Sequence, residues 1–162
     1  MNQRLQDKLY EKYPKIFGQK DLPMTQTAMC WGIDCDDGWY NITDNLCWHI
    51  QHEVDKPHRQ IERYTELLED AELPEATVTY FQQQVIESRK RIIPQVEATQ
   101  VKEKYGGLRF YVFGGNEKID ALISFAESMS ECTCEKCGKP GTQNNGGWIQ
   151  TLCRDCRGDN NV

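Results

Sequence analysis

The residues with the clearest chemistry are four cysteines near the end of the chain. Cys134-Glu-Lys-Cys137-Gly138 and Cys153-Arg-Asp-Cys156-Arg-Gly158 each hold a C-x2-C pair, with fifteen residues between Cys137 and Cys153. A tight turn points two thiolates at one ion, and two such turns supply the corners of a tetrahedron. Gly138 and Gly158 leave permissive backbone just beyond each turn. Between the pairs, Lys139-Pro140-Gly141 and Asn144-Asn145-Gly146-Gly147 are turn chemistry, and Trp148 to Leu152 is a short β-like run. The pattern predicts a zinc ribbon with one structural Zn²⁺ on Cys134, Cys137, Cys153 and Cys156. Two disulfides or four idle thiols are the alternative. Four thiolates leave a zinc ion no open position for water, so the site predicts a fold rather than a reaction. Cys132, two residues ahead of the first pair, reads as a bystander.

A second set, Cys30, Cys35, Cys47, His49, His52 and His58, also has metal-ligating types. Cys47 and His49 lie about 200° apart on an ideal helix, so both cannot face one ion without distortion. Cys47 reads more simply as a small buried hydrophobe. A nucleophilic Cys30 or Cys35 would need a histidine partner and an oxyanion loop, and no such loop is recognisable. Asp34, Asp36 and Asp37 could hold Mg²⁺, but acids beside a helix start more often cap it. The glycine pairs Gly106-Gly107 and Gly114-Gly115 punctuate strands and do not form a phosphate loop. No residue is assigned a catalytic role.

The third candidate is a binding surface. Residues 95–105 and 108–113 flank Gly106-Gly107, a two-residue hairpin signal. With those glycines as the loop, Tyr105 pairs with Leu108, Glu103 with Phe110, and Val101 with Val112. That face is mostly apolar and belongs in the core. The other carries Gln100, Lys102, Lys104, Arg109, Tyr111 and Phe113, a mixture suited to an anion or a stacked base. A solvated sheet face is the plainer reading. Lys102, Lys104, Arg109 and Tyr111 are the ligand candidates, with Trp39 beside them should it prove a recognition residue rather than a core one.

The remaining elements must position these groups. Leu5, Leu9 and Tyr13 predict a helix over 2–13, then an extended Pro14–Phe17 segment that also packs. Asp36 or Asp37 can cap a helix striped by Trp39, Ile42, Leu46 and Ile50, continued by Val54, Ile61, Tyr64 and Leu68, with Pro57 kinking or breaking it near 56. A second helix starts near Pro74 and ends before Pro94. The two form an antiparallel pair; a partner-binding coiled coil is the alternative. Asn116 can cap a helix striped by Ile119, Leu122, Ile123, Ala126 and Met129. Trp31, Trp39 and Trp148 are expected to be mostly buried.

The totals narrow the classes. A chain of 162 residues with a net charge of −6 repels nucleic acid and anionic membrane as a whole, so any phosphate site must be a local patch. No apolar run approaches the roughly 20 residues of a membrane span, and the first residues lack a secretory signal. Eight cysteines without such a signal point to a reducing compartment and to metal ligation. A cytoplasmic location is expected.

Gln100 to Tyr111, Ala126-Glu127-Ser128, Cys134 to Gly141 and Gly146 to Cys153 together resemble a family of uncharacterised bacteriophage and bacterial proteins. Met29 to Tyr40 looks like the front half of its longer phage members. These blocks cover roughly half the chain and leave out the helical middle. The resemblance carries no activity and no catalytic residue. It implies a viral or accessory gene product at work in a bacterial cytoplasm.

The expected fold is α+β: a helical front and middle, an antiparallel β-hairpin or small sheet, a helix, and a C-terminal zinc ribbon. The expected division is a core domain at 1–130 with its helical pair at about 38–93, the ribbon at 131–158, and a tail at 159–162. The favoured function is non-enzymatic capture of a host protein or a small nucleotide-like anion, for instance to inhibit a host antiviral defence. A nucleic-acid-binding module and a cysteine- or metal-dependent enzyme are the alternatives.

Overall fold

The computed structural model describes residues 1–70, 72–144 and 146–158. The expected tail at 159–162 and Asn145 of the expected turn lie outside them. The architecture is α+β, as the sequence predicts.

Helix α1 spans Gln3–Lys12 and starts at Asn2, whose side chain accepts the Leu5 N–H at 3.0 Å. Its buried Leu9 faces the core. Beyond Pro14 the chain turns, where an extended segment was expected, because Ile16 and Phe17 both donate to the Tyr13 carbonyl at 3.1 Å. The turn drives both side chains into the core and leaves the Ile16 carbonyl to accept the Ala98 N–H at 2.7 Å.

Strand β1, Ile33–Asp34, runs parallel to β2, Glu97–Lys104, which pairs antiparallel with β3, Gly107–Phe113, in the order β1-β2-β3. The hairpin loop is Tyr105-Gly106 rather than Gly106-Gly107. Their φ angles of 53° and 74° are the left-handed pair that a twisted two-residue hairpin demands. Gly107 therefore belongs to β3 and pairs with Lys104, Glu103 pairs with Leu108, and Val101 with Phe110. Each partner is displaced by two residues from the expected register. An even displacement preserves the two faces, so Val101, Leu108 and Phe110 are buried as expected.

Helix α2, Tyr40–Leu67, runs through Pro57 without a break. Pro57 removes one rung of the hydrogen-bond ladder. It is nonetheless buried, as is Val54 one turn earlier, and tertiary packing carries the helix on. Helix α3, Glu75–Arg89, starts directly after Pro74 and returns along α2. Tyr64 of α2 meets Tyr80 and Phe81 of α3 with ring centroids 6.5 and 5.6 Å apart. Neither Asp36 nor Asp37 caps α2 through its side chain. The Asp37 carboxylate instead accepts the Asn2 backbone N–H at 2.7 Å and its side-chain amide at 2.5 Å, pinning the start of α1.

Helix α4, Glu117–Ser130, is capped by Asn116, whose side chain accepts the N–H groups of Lys118 and Ile119. It also closes the exposed edge of β3. Ser130 Oγ accepts the Leu108 N–H at 2.8 Å and Glu127 Oε1 accepts the Phe110 N–H at 3.0 Å. Two edge donors that would template a foreign strand are thereby satisfied. The core lies between this sheet and the helices, with Trp39, Phe17, Phe110 and Ile50 fully buried. Among the described residues no helix is long and apolar enough to cross a membrane.

Candidate metal centre

The C-terminal unit is built from very short elements: β4, Thr142–Gln143, antiparallel to β5, Thr151–Leu152, and α5, Arg154–Arg157. A unit of this size has almost no apolar interior. Its buried cluster is Cys134, Leu152 and Cys153, with Cys156 packed against it. In a unit this small, side-chain ligation can replace burial as the organising force.

The sulfurs of Cys134, Cys137, Cys153 and Cys156 all lie within 4.8 Å of one another. Thiolates on a tetrahedral metal sit about 3.8 Å apart, so the set fits one thiophilic ion. The first turn is fixed by the Gly138 N–H donating to the Cys134 carbonyl at 2.8 Å, with Gly138 at a φ of +75°. The second is the start of α5, where the Cys156 N–H lies 3.4 Å from Cys153 Sγ. Lys139, just past the first turn, pairs with Asp155, inside the second, at 2.8 Å.

Electrostatics favour one thiolate in this cage, at Cys134. Burial opposes ionisation of Cys134, but N–H groups of Cys153, Cys137 and Lys136 aimed at its sulfur outweigh that and bring its pKa down to about 7. The neighbouring sulfurs of Cys137 and Cys153 push Cys156 up to about 12. One thiolate forms easily and the next resist, which is the situation a bound cation resolves. Cys132 stands outside the cluster, exposed, with its S–H on the Met129 carbonyl at 3.3 Å.

The unit is sewn to the rest of the chain at two places. At the first, Gly38 donates to the Glu135 carbonyl at 2.6 Å, Asp36 N–H donates to the Glu135 side chain at 3.1 Å, and Trp39 Nε1 donates to the Thr133 carbonyl at 2.8 Å. A Cβ at Gly38 would collide with the carbonyls of Cys134 and Glu135 and stand 2.5 Å from Gly138 N. At the second, Thr151 Oγ1 donates to the Gly106 carbonyl at 2.5 Å and Gln143 donates to the Tyr105 carbonyl at 3.3 Å. The hairpin turn therefore rests on the metal unit. Sequence reasoning missed Gly38, Glu135 and Thr151. The only local signal was a glycine placed directly before Trp39.

The second cysteine–histidine set is not brought together. Cys47 is fully buried and its thiol pushed well up by desolvation, Cys35 is raised by burial to about 12, and the Cys30 S–H is spent on the Thr27 carbonyl at 3.2 Å. His52 stacks on Trp48 and His49 meets the same ring edge-on. Among the described residues, the C-terminal four are the group placed to hold a metal.

The candidate ligand residues divide. Lys102 and Lys104 stand with their ammonium groups 5.8 and 5.3 Å from the ring centres of Tyr111 and Tyr105. Tyr111 and Phe113 are exposed. Arg109 turns aside, donating to the Leu108 carbonyl at 2.7 Å and lying 3.9 Å from Glu127. Trp39 is completely buried and its N–H already used, so it cannot touch a ligand; it is a core residue. Trp31 and Trp148, expected to be buried, are 65% and 73% exposed, Trp31 at the end of a three-residue turn and Trp148 in the loop between β4 and β5. Comparison with models of protein families, with curated proteins and with solved structures finds no match to this chain.

Proposed function

We propose that this chain is a non-enzymatic binding protein, held in shape by one structural Zn²⁺, that captures a nucleotide-like anion of its host on the outer face of the β-sheet. Cys134, Cys137, Cys153 and Cys156 would hold the zinc, whose tetrahedral thiolate preference matches the donor set. The observation that carries the binding role is the pairing of two lysine ammoniums with two exposed tyrosine rings, Lys102 with Tyr111 and Lys104 with Tyr105. A cation next to an aromatic plane is what a phosphate joined to a base requires. The resemblance of the hairpin and cysteine segments to phage proteins supports a place in the bacterial cytoplasm, with suppression of an antiviral defence as the form such capture would take.

Titration calorimetry with mono- and dinucleotides tests the reading. Nucleotide binding should weaken at least several-fold in Lys102→Ala and in Tyr111→Ala, and native mass spectrometry should give one zinc per chain. A zinc-loaded protein that binds no nucleotide, and that carries none out of a bacterial lysate, would sink the proposal.

A further inference from the structure

Successive outward positions on β3 are Arg109, Tyr111 and Phe113, and residues two apart on a strand stand about 6.8 Å apart. Tyr111 is 43% exposed and Phe113 68%, so the outer face presents two adjacent open rings rather than one. Lys102 lies on the neighbouring strand, opposite Arg109 and over the Tyr111 ring. At the hairpin turn Tyr105 is 68% exposed, with Lys104 over it. The C-terminal unit abuts this turn. The Gly106 carbonyl holds Thr151, a Cβ at Gly106 would be 3.0 Å from Ile149 Cγ2, and Trp148 beside Ile149 is exposed. From Gly107 to Phe113 alone, β3 runs about 20 Å.

A single nucleotide has one base and cannot use a row of this length. A duplex keeps its bases stacked inside and cannot offer them to protein rings. A single strand can do both things the surface asks, stacking successive bases on Phe113 and Tyr111 while its phosphates pass the lysines. We propose that this face binds single-stranded nucleic acid. The inference rests on the nucleotide-binding reading and names its ligand class. Acids limit the electrostatic part: Asp34 stands beside Lys102, and Glu97 pairs with Phe113. With Lys102 and Lys104 as the phosphate contacts, the slope of log K against log salt should be shallow, about −1.4.

The test is fluorescence anisotropy of a labelled twelve-nucleotide oligothymidylate against the zinc-loaded full chain, across a salt series. Tyr111→Ala and Phe113→Ala should each weaken binding by about fivefold or more, and Tyr111→Phe should retain it. Both side chains are exposed, so unchanged melting curves will show that the variants fold. A duplex carrying the same strand should bind far more weakly. The proposal is overturned if the double alanine variant binds the oligonucleotide as the parent does, or if the slope is steeper than about −4. It also falls if the oligonucleotide binds no more tightly than a dinucleotide whose affinity depends on Tyr111; in that case the nucleotide-binding function survives. If neither nucleotides nor oligonucleotide bind, or a host protein occupies the face in their place, both readings fail.

Discussion

The two ends of the molecule are held together by different physics. The front is a hydrophobic core in which Trp39, Phe17, Phe110 and the stripe of α2 remove apolar surface from water. The C-terminal unit has Leu152 as its one large buried aliphatic side chain among the described residues, and its four sulfurs converge closely enough to hold one metal ion. Cysteine has opposite meanings in the two regions. In the core, desolvation holds Cys35 and Cys47 as inert thiols; in the metal unit, N–H groups aimed at Cys134 favour the thiolate. The difference shows that residue type does not decide the role of a cysteine. The local supply of hydrogen-bond donors does.

Removing the metal should break the comparison most strongly. Binding to a four-thiolate site supplies about 10 kcal/mol or more in small peptides, far beyond what Leu152 can contribute by burial. Chelation, or Cys153→Ser, should melt 131–158 while the far-ultraviolet signal of α1 to α4 persists. Hydrogen exchange should then report opening at Gly38 and at the hairpin turn, the two places where the unit is sewn on. A metal-free protein that keeps the C-terminal unit ordered would show that the two regions are not so different.

The core counterpart is Trp39→Ala. A fully buried indole that also loses its bond to Thr133 should cost about 3–5 kcal/mol in chemical denaturation. Trp31→Ala and Trp148→Ala should change stability by less than about 0.5 kcal/mol, because both indoles already face solvent. The contrast among three tryptophans in one chain separates burial from residue identity.

Gly38→Ala lies at the border. It adds a methyl group where backbone from Cys134 to Gly138 already touches, and should cost about 2–3 kcal/mol, seen as a lower midpoint and faster metal loss to chelator. An unchanged rate of metal loss would mean that the two regions are independent despite their contacts.

What the sequence disclosed follows from the range of each interaction. The cluster of four cysteines was legible because its geometry depends on spacings of two residues within a tight turn. The stripe of α2 and the Asn116 cap are equally local. The Gly38–Glu135 contact was invisible, since it joins positions nearly a hundred residues apart through backbone atoms that every residue has. Pro57 misled in the same way: proline opposes a helix locally, and only its burial in the folded chain reveals why this one continues. The hairpin turn was misplaced by one residue because two adjacent glycines permit more than one loop. Its faces survived because strand alternation has a period of two.

The smallest expected effect concerns how the front of the core is closed, and it tests whether surface charge matters beside the two dominant forces. The Asp37 carboxylate accepts the Asn2 backbone N–H, which lowers its pKa below the ordinary 3.8, with the Asn2 side-chain amide adding to the shift. A carboxylate depressed in the folded state binds fewer protons there than in the unfolded chain. Its stabilising contribution is therefore complete above the unfolded value near 3.8 and disappears as pH falls through the lower folded value. Asp37 is exposed, so solvent screening should keep the effect under about 1 kcal/mol. Asp37→Asn should lower stability slightly at pH 7 and match the parent at pH 2 in urea titrations. A parent–variant difference that stays constant from pH 7 to pH 2 would assign the contribution of Asp37 to shape and hydrogen bonding rather than charge, leaving hydrophobic burial and metal ligation as the two forces that matter.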